Sequence, residues 1–419
     1  MALDRRQLLS LSTTLAASGL LAGCSVRAPE GTATRTRRPT ETATRSAPSK
    51  PTPRGIPTAV AGSDATRLTY GNTAFGLNLL DRIATGDRNH LFSPYSIAVA
   101  LAMTFAGTRG ETRRQLRTTL GYPFEGTALH ETFRSLHESI IPETPPTSTP
   151  TPTADGRSVP LRVVDANALW GQQGFPWIDA FRELVDRYYG AGFHELDFRA
   201  QPEAARQTIN QWVADRTNGK ITDLLPRGSV SDLTRLVLSN AVYFQGRWQH
   251  RFDDDGRRPF TALNGTETEV PMMTVGKESF RYADVDGHQL VELPYRNGEY
   301  GFVIVLPPSG EYRAFQASVT AGRLWRWLGR MEPRAGSITM PSFGFRSGFS
   351  LAGVLADMGM PALFSPQQAD LTGMAEGPAG ENLYVDGVYH KTFIEVDEKG
   401  TEAAAAGIVE SVTEVRDAL

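Results

Sequence analysis

Histidine–glutamate pairs stand at 130–131, 137–138 and 194–195, a combination used in metal-assisted hydrolysis. None is followed by a second histidine four residues on, so no helix turn offers two imidazoles to a zinc ion. A serine nucleophile on a tight strand-to-helix turn needs Gly-x-Ser-x-Gly. The nearest stretch, GFSLA at 348–352, lacks the last glycine. The seven histidines are scattered, no glycine-rich phosphate loop occurs, and Cys24 is the single cysteine, so no intrachain disulfide is available. A Ser-His-Asp triad would leave no local signature. With that exception no catalytic set is legible, and the sequence reads as a non-enzyme with no metal and no cofactor.

Another kind of chemistry is suggested by VDEKGTEAAAAGIVE, residues 396–410. An acidic patch and a glycine lead into four consecutive alanines and then β-branched residues. Alanine is the best helix former, but this run is flanked by glycines on both sides and leads into Ile408 and Val409, so helix and strand compete here. At the other end, MALDRRQLLSLSTTLAASGLLAGCSV carries twin arginines, a short apolar run and LAGC at 21–24. The run is too short to span a hydrocarbon core of ~30 Å, which marks it as an export signal. LAGC resembles a lipoprotein signal, with lipid attached to the sulfur of Cys24 after cleavage. The expected location is extracytoplasmic, lipid-anchored to the cell membrane or secreted.

The elements behind these ends follow from periodicity. The chain has 419 residues, 40% hydrophobic and 21% charged, with a net charge of −3 that gives no case for a nucleic-acid partner. Residues 1–24 are the signal, and 25–65 a Thr/Pro-rich tether without the apolar side chains needed to offset its ordering entropy. A second Thr/Pro stretch at 142–156 reads as a surface loop. Helices are expected over 69–84, 93–107 (apolar all round, hence buried), 111–121, 178–190 and 202–221. Strands are expected over 161–169, 234–246, 288–296, 300–308, 336–345 and 389–400, with one more helix at 351–358. Helices crowd the first half and strands the second without a βαβ rhythm, which indicates an α+β fold with large mixed or antiparallel sheets.

FSPYSIAVALAMTFAGTRGETRRQL (92–116), LSNAVYFQGRWQHRFD (238–253), VELPYRNGEYGFVIVLPP (291–308), MPSFGFRSGFSLAGVLADMGM (340–360) and LYVDGVYHKTFIEVDEKGTEAAAA (383–406) resemble the serpins, in that family's order and spacing. The resemblance covers the chain from residue 66 to 419. It implies an exposed reactive loop at 398–419 that a protease cuts and that then inserts as a central strand of the large sheet, trapping the acyl-enzyme. The implied partner is a serine or cysteine protease, met by a monomer. Glu398, Gly400, Thr401, Glu402, Ala403, Ala404, Ala405 and Ala406 match the hinge, with Gly400 expected to give backbone freedom. Read with period 2, Thr401, Ala403, Ala405, Gly407 and Val409 face inward, while Glu402, Ala404, Ala406, Ile408 and Glu410 face outward. Family spacing puts the scissile bond at Glu414–Val415; a loop two residues longer makes Arg416 the bait.

Ser93 and Ser96, with Asn240 and His390, match a polar cluster under the opening of the sheet, and Trp248 matches a tryptophan where the loop first enters. His390 and Trp248 serve equally well as core residues. The family's chains run on beyond the loop through two further strands, whereas this sequence stops at Leu419. That departure leads to the expectation that the loop already lies in the sheet, and that the 419-residue chain forms no denaturant-resistant protease complex. Two functions follow: a serine-protease inhibitor acting by loop insertion, or a non-inhibitory, decayed or truncated surface lipoprotein of the same build.

Overall fold

The computed structural model describes residues 62–84, 86, 88–141, 161–296 and 298–413. The first helix, α1 (Asp64–Ile83), begins inside the stretch assigned to the tether: Ser63 caps it by accepting a hydrogen bond from the Thr66 amide at 3.2 Å. α2 (Pro94–Gly107) follows, with Ser93 as N-cap and Pro94 in its first turn, and all but one of its residues are buried. α3 (Gly110–Leu120) ends at Gly121, whose φ of 65° closes the helix in the left-handed region. α4 (Thr127–Ile140), which the sequence reading passed over, completes this helical half.

β1 (Arg162–Gln172), α5 (Asp179–Tyr189), β2 (Gly192–Leu196), α6 (Pro202–Arg216) and β3 (Thr234–Arg247) come next. α6 stops five residues short of the expected 221, because Asn218 and Gly219 both take positive φ. β4 (Asp253–Thr261), β5 (Glu267–Val285), β6 (His288–Pro294) and β7 (Gly301–Leu306) form one sheet in that order, and β8 (Glu332–Pro341) also pairs with β5. The segment 336–345, expected as one strand, breaks at Ser342. β9 (Phe343–Ser350) therefore belongs to a different sheet from β8.

The larger sheet has the order β2-β1-β3-β11-β10-β9, where β10 is Leu383–Val396 and β11 is Gly400–Thr413. β11 is hydrogen-bonded on both edges, antiparallel to β10 from Thr401–Val396 to Thr413–Leu383 and antiparallel to β3 from Gly400–Arg247 to Val412–Thr234. The alanine run is thus strand and not helix, because two partner edges satisfy every backbone group that a helix would satisfy internally. The whole is an α+β fold with helices packed on a mixed larger sheet, in which only β1 and β2 run parallel, and an antiparallel smaller one.

Both faces of β11 are covered. Val409 joins the main core together with Leu101 and Phe105 of α2, and Ala403 packs against that core. On the opposite face Ala404 and Ala406 belong to a second core with Ile209 and Val213 of α6 and Tyr243 of β3. The outward set was therefore misread as a solvent face: Ala404 is 3% exposed, while Ala406 and Glu410 are 0% exposed. On the α6 face the alanines are what close packing requires, since bulk at Ala404 or Ala406 has nowhere to go.

Ala406 pairs with Ala241 on one side and Lys391 on the other. Ala406→Leu is expected to overpack this closed face, costing about 1–3 kcal/mol. Thermal unfolding should show a melting temperature lower by several degrees. An unchanged melting temperature would mean that the face is open.

Candidate functional site: the inserted strand and its hinge

The turn from β10 into β11 is built on Asp397. Its Oδ1 accepts from the amides of Lys399 at 2.8 Å and Gly400 at 2.9 Å, and its own amide donates to the Gly400 carbonyl at 3.0 Å. Trp248 grips the outside of the turn. Its Nε1 donates to the Asp397 carbonyl at 2.8 Å and its amide to the Lys399 carbonyl at 3.0 Å, while the Phe252 amide donates to the Glu398 carbonyl at 3.0 Å. The indole is 1% exposed and stacks on Tyr295 at 4.8 Å between centroids. Trp248 is therefore both a core residue and the clamp of the turn between β10 and β11.

Gly400 is not at positive φ. Its need for glycine is steric: a Cβ there would stand 2.0 Å from the Gly246 carbonyl oxygen. In this paired state it is close approach, not a left-handed backbone, that requires glycine. Thr401, Ala403 and Ala405 line an apolar cavity of about 110 Å³ with Tyr295, Tyr300 and Phe244. On the other face Glu402 takes an ion pair from Lys220 at 2.9 Å and a hydrogen bond from the Tyr243 hydroxyl at 2.7 Å. Burial alone would raise its pKa, but the bonds from Lys220 and Tyr243 hold the carboxyl below its ordinary value.

Lys220 lies on the connection after α6, which ties itself to four strands of the large sheet. Asn218 Nδ2 donates to Tyr243 of β3 at 3.4 Å, Lys220 holds Glu402 of β11, Asp223 pairs with Lys391 of β10 at 3.0 Å, and the Lys220 carbonyl accepts from Arg346 of β9.

Farther along, Gly407 passes between Asn240 of β3 and His390 of β10, its register partners. Ser96 Oγ donates to Asn240 Oδ1, and Asn240 Nδ2 donates to Asn167 Oδ1 at 2.8 Å. His390 Nε2 accepts from the Ser93 amide at 3.0 Å, and Ser93 Oγ accepts from the Ser96 amide at 3.1 Å. The four residues singled out in the sequence do converge, with β11 threaded through the middle. A Cβ on Gly407 would lie 3.3 Å from His390 Nδ1, so even alanine crowds the imidazole. Burial pushes the His390 pKa down to about 3, the polar backbone at Ala406 pulling the other way.

Asn167, Tyr243, Lys220, Asp397 and Thr234 were not anticipated. Asn167 alone left a signal, a polar residue in phase with the core-facing Val163 and Leu169 of its strand. Glu414, Val415, Arg416 and Cys24 lie outside the described residues.

Comparison with known proteins places this arrangement. The family model described as "Serpin (serine protease inhibitor)" matches residues 70–417. An uncharacterised serpin-like protein of Thermococcus kodakarensis is 37% identical over 80% of this chain and 74% of its own. The human leukocyte elastase inhibitor is 33% identical over 81% of this chain and 88% of its own. Among solved structures, reactive-loop-cleaved human thyroxine-binding globulin superimposes with a TM-score of 0.73 at 25% identity, covering 84% of this chain and 100% of that one.

His390 is neutral in the fold and takes a proton near its ordinary value of 6.5 once unfolded. Its contribution to stability is whole above about pH 6.5 and is lost as pH falls toward 3. His390→Gln should flatten the acid limb of a stability–pH curve by up to one proton, about 1.4 kcal/mol per pH unit. Equal slopes in denaturant titrations of both proteins would contradict the neutral buried imidazole.

Proposed function

Because this chain belongs to the serpin family, we propose that it is a serine-protease inhibitor that works as a suicide substrate, trapping its target by inserting residues 400–413 into the large sheet. The observation that carries this reading is the pairing of β11 on both edges, in register, with small residues on both covered faces. A fourteen-residue strand spans roughly 45 Å at ~3.3 Å per residue. The bond proposed for cleavage, Glu414–Val415, follows directly on the last residue of β11. A protease esterified at Glu414 through its serine would thus be dragged the length of the sheet before water could hydrolyse the ester. If Arg416 is the bait instead, the target is trypsin-like.

With residues 400–413 paired as β11, this is the relaxed conformer of the proposed cycle, and inhibition belongs to the state with the loop out. The same pairing favours the second reading, a serpin-like surface protein that binds without inhibiting. In both readings we place the protein, as a monomer, outside the cytoplasm, held to the membrane by lipid on Cys24 or secreted. The basis for the location is the twin arginines, the apolar run and LAGC together, and Cys24→Ser should release the protein from the membrane fraction.

Protease added after folding should give no covalent adduct on denaturing gels, as the sequence led us to expect; against that expectation, chain that meets a Glu-specific or Arg-specific serine protease during refolding, before β11 pairs, should give one. Thr401→Arg drives a cation into the apolar cavity beside Tyr295, where desolvation without a partner is costly. This variant should be cut at the same bond with no adduct. Absence of any wild-type adduct under both regimes would overturn inhibition and leave the second reading.

A further inference from the structure

Glu410 occupies the far part of β11, opposite Val237 of β3 and Gly387 of β10. Its side chain is 0% exposed. Oε1 accepts from Thr234 Oγ1 at 2.7 Å, and that hydroxyl accepts from the Ser231 amide at 3.0 Å, so its one proton is committed to Glu410. Oε2 is buried with no hydrogen-bond partner among the described residues. A carboxylate with one donor and a bare second oxygen is expensive to bury, whereas the neutral acid is far less so.

The surrounding groups do not supply a countercharge. From β10, Asp386 repels the carboxylate, and Tyr389 is a neutral phenol whose ionisation burial and Glu410 both oppose. From β3, the Arg235 guanidinium is turned to the carbonyls of Asp232 and Thr234, at 2.7 and 2.9 Å, with Arg199 and Asp232 as its charged neighbours. His390, on β10, is neutral. Burial, opposed by Thr234 and reinforced by Asp386, pushes the Glu410 pKa up to about 7.

We propose that Glu410 takes up a proton as the far end of β11 enters the sheet, so that strand insertion is favoured in acid and released toward neutral and alkaline pH. The proposal rests on the reading of residues 400–413 as a loop that inserts. Out of the sheet the carboxyl titrates at its ordinary 4.5. Stabilisation of the inserted state is therefore whole below about pH 4.5 and is lost as pH rises through about 7. Release starts at the far end, where the hinge clamp does not reach.

The test is hydrogen exchange of the full chain, corrected for intrinsic rates, at pH 4.5 and pH 8, on wild type and Glu410→Gln. His390 titrates in the opposite sense, so the readout is the ratio of the wild-type opening constant to that of Glu410→Gln over residues 407–413. That ratio should rise on the order of a hundredfold between the two pH values. Thr234→Val, which removes the one donor favouring the charged form, should widen the swing. A constant ratio with 400–413 protected overturns the proton coupling and leaves insertion standing. Exchange of all of 400–413 at free-chain rates at both pH values overturns the insertion reading, and this proposal with it.

Discussion

The large sheet is a closed layer only because one strand is thin enough to lie between two others with helices pressed on both sides. β3 and β10 each offer an edge to β11, and on the α6 side the space admits little more than a methyl group at Ala404 and Ala406. Side-chain volume is the controlling variable. Backbone pairing on two edges is available to almost any sequence, but the two covered faces hold this one to glycine, alanine and threonine through its first half, save Glu402, which Lys220 and Tyr243 receive at the edge of the α6 face.

Polar groups around that strand obey the same geometry. Asn240 and His390 flank Gly407 and each finds its partner on the α2 side, Asn240 in the Ser96 hydroxyl and His390 in the Ser93 amide. On the α6 face the connection after that helix reaches β3, β11, β10 and β9 through Asn218, Lys220 and Asp223. Its ion pairs are partly exposed, Asp223–Lys391 more than Lys220–Glu402, so each contributes modestly. Their common effect is to hold four strands in one register.

Much of this was legible in sequence where the pattern is local. The apolar helix at 93–107, the left-handed glycines 121 and 190 and the long strand at 234–246 all come from periodicity and capping. The hinge and the polar cluster came from a resemblance, because their members sit as far apart as Ser93 and His390. The outward face of β11 was misread because period-2 alternation says which residues share a face and not what covers it. α6, nearly two hundred residues upstream, supplies that cover. The break at Ser342 was hidden for a related reason: β8 and β9 read as one continuous strand, and only their different partners separate them.

The clamp on the hinge turn also fixes an order of events. Asp397, Trp248 and Phe252 hold residues 397–400 as a tight turn, so the first pair of β11 with β10 closes almost no loop, and each later pair extends the one before it. Under the proposed insertion the strand would close as a zipper from Thr401 toward Thr413. In such a zipper the position of a misfit decides its outcome. An obstacle near Thr401 leaves the sheet open along its whole length, whereas one near Glu410 leaves it closed for most of its length with the tail outside.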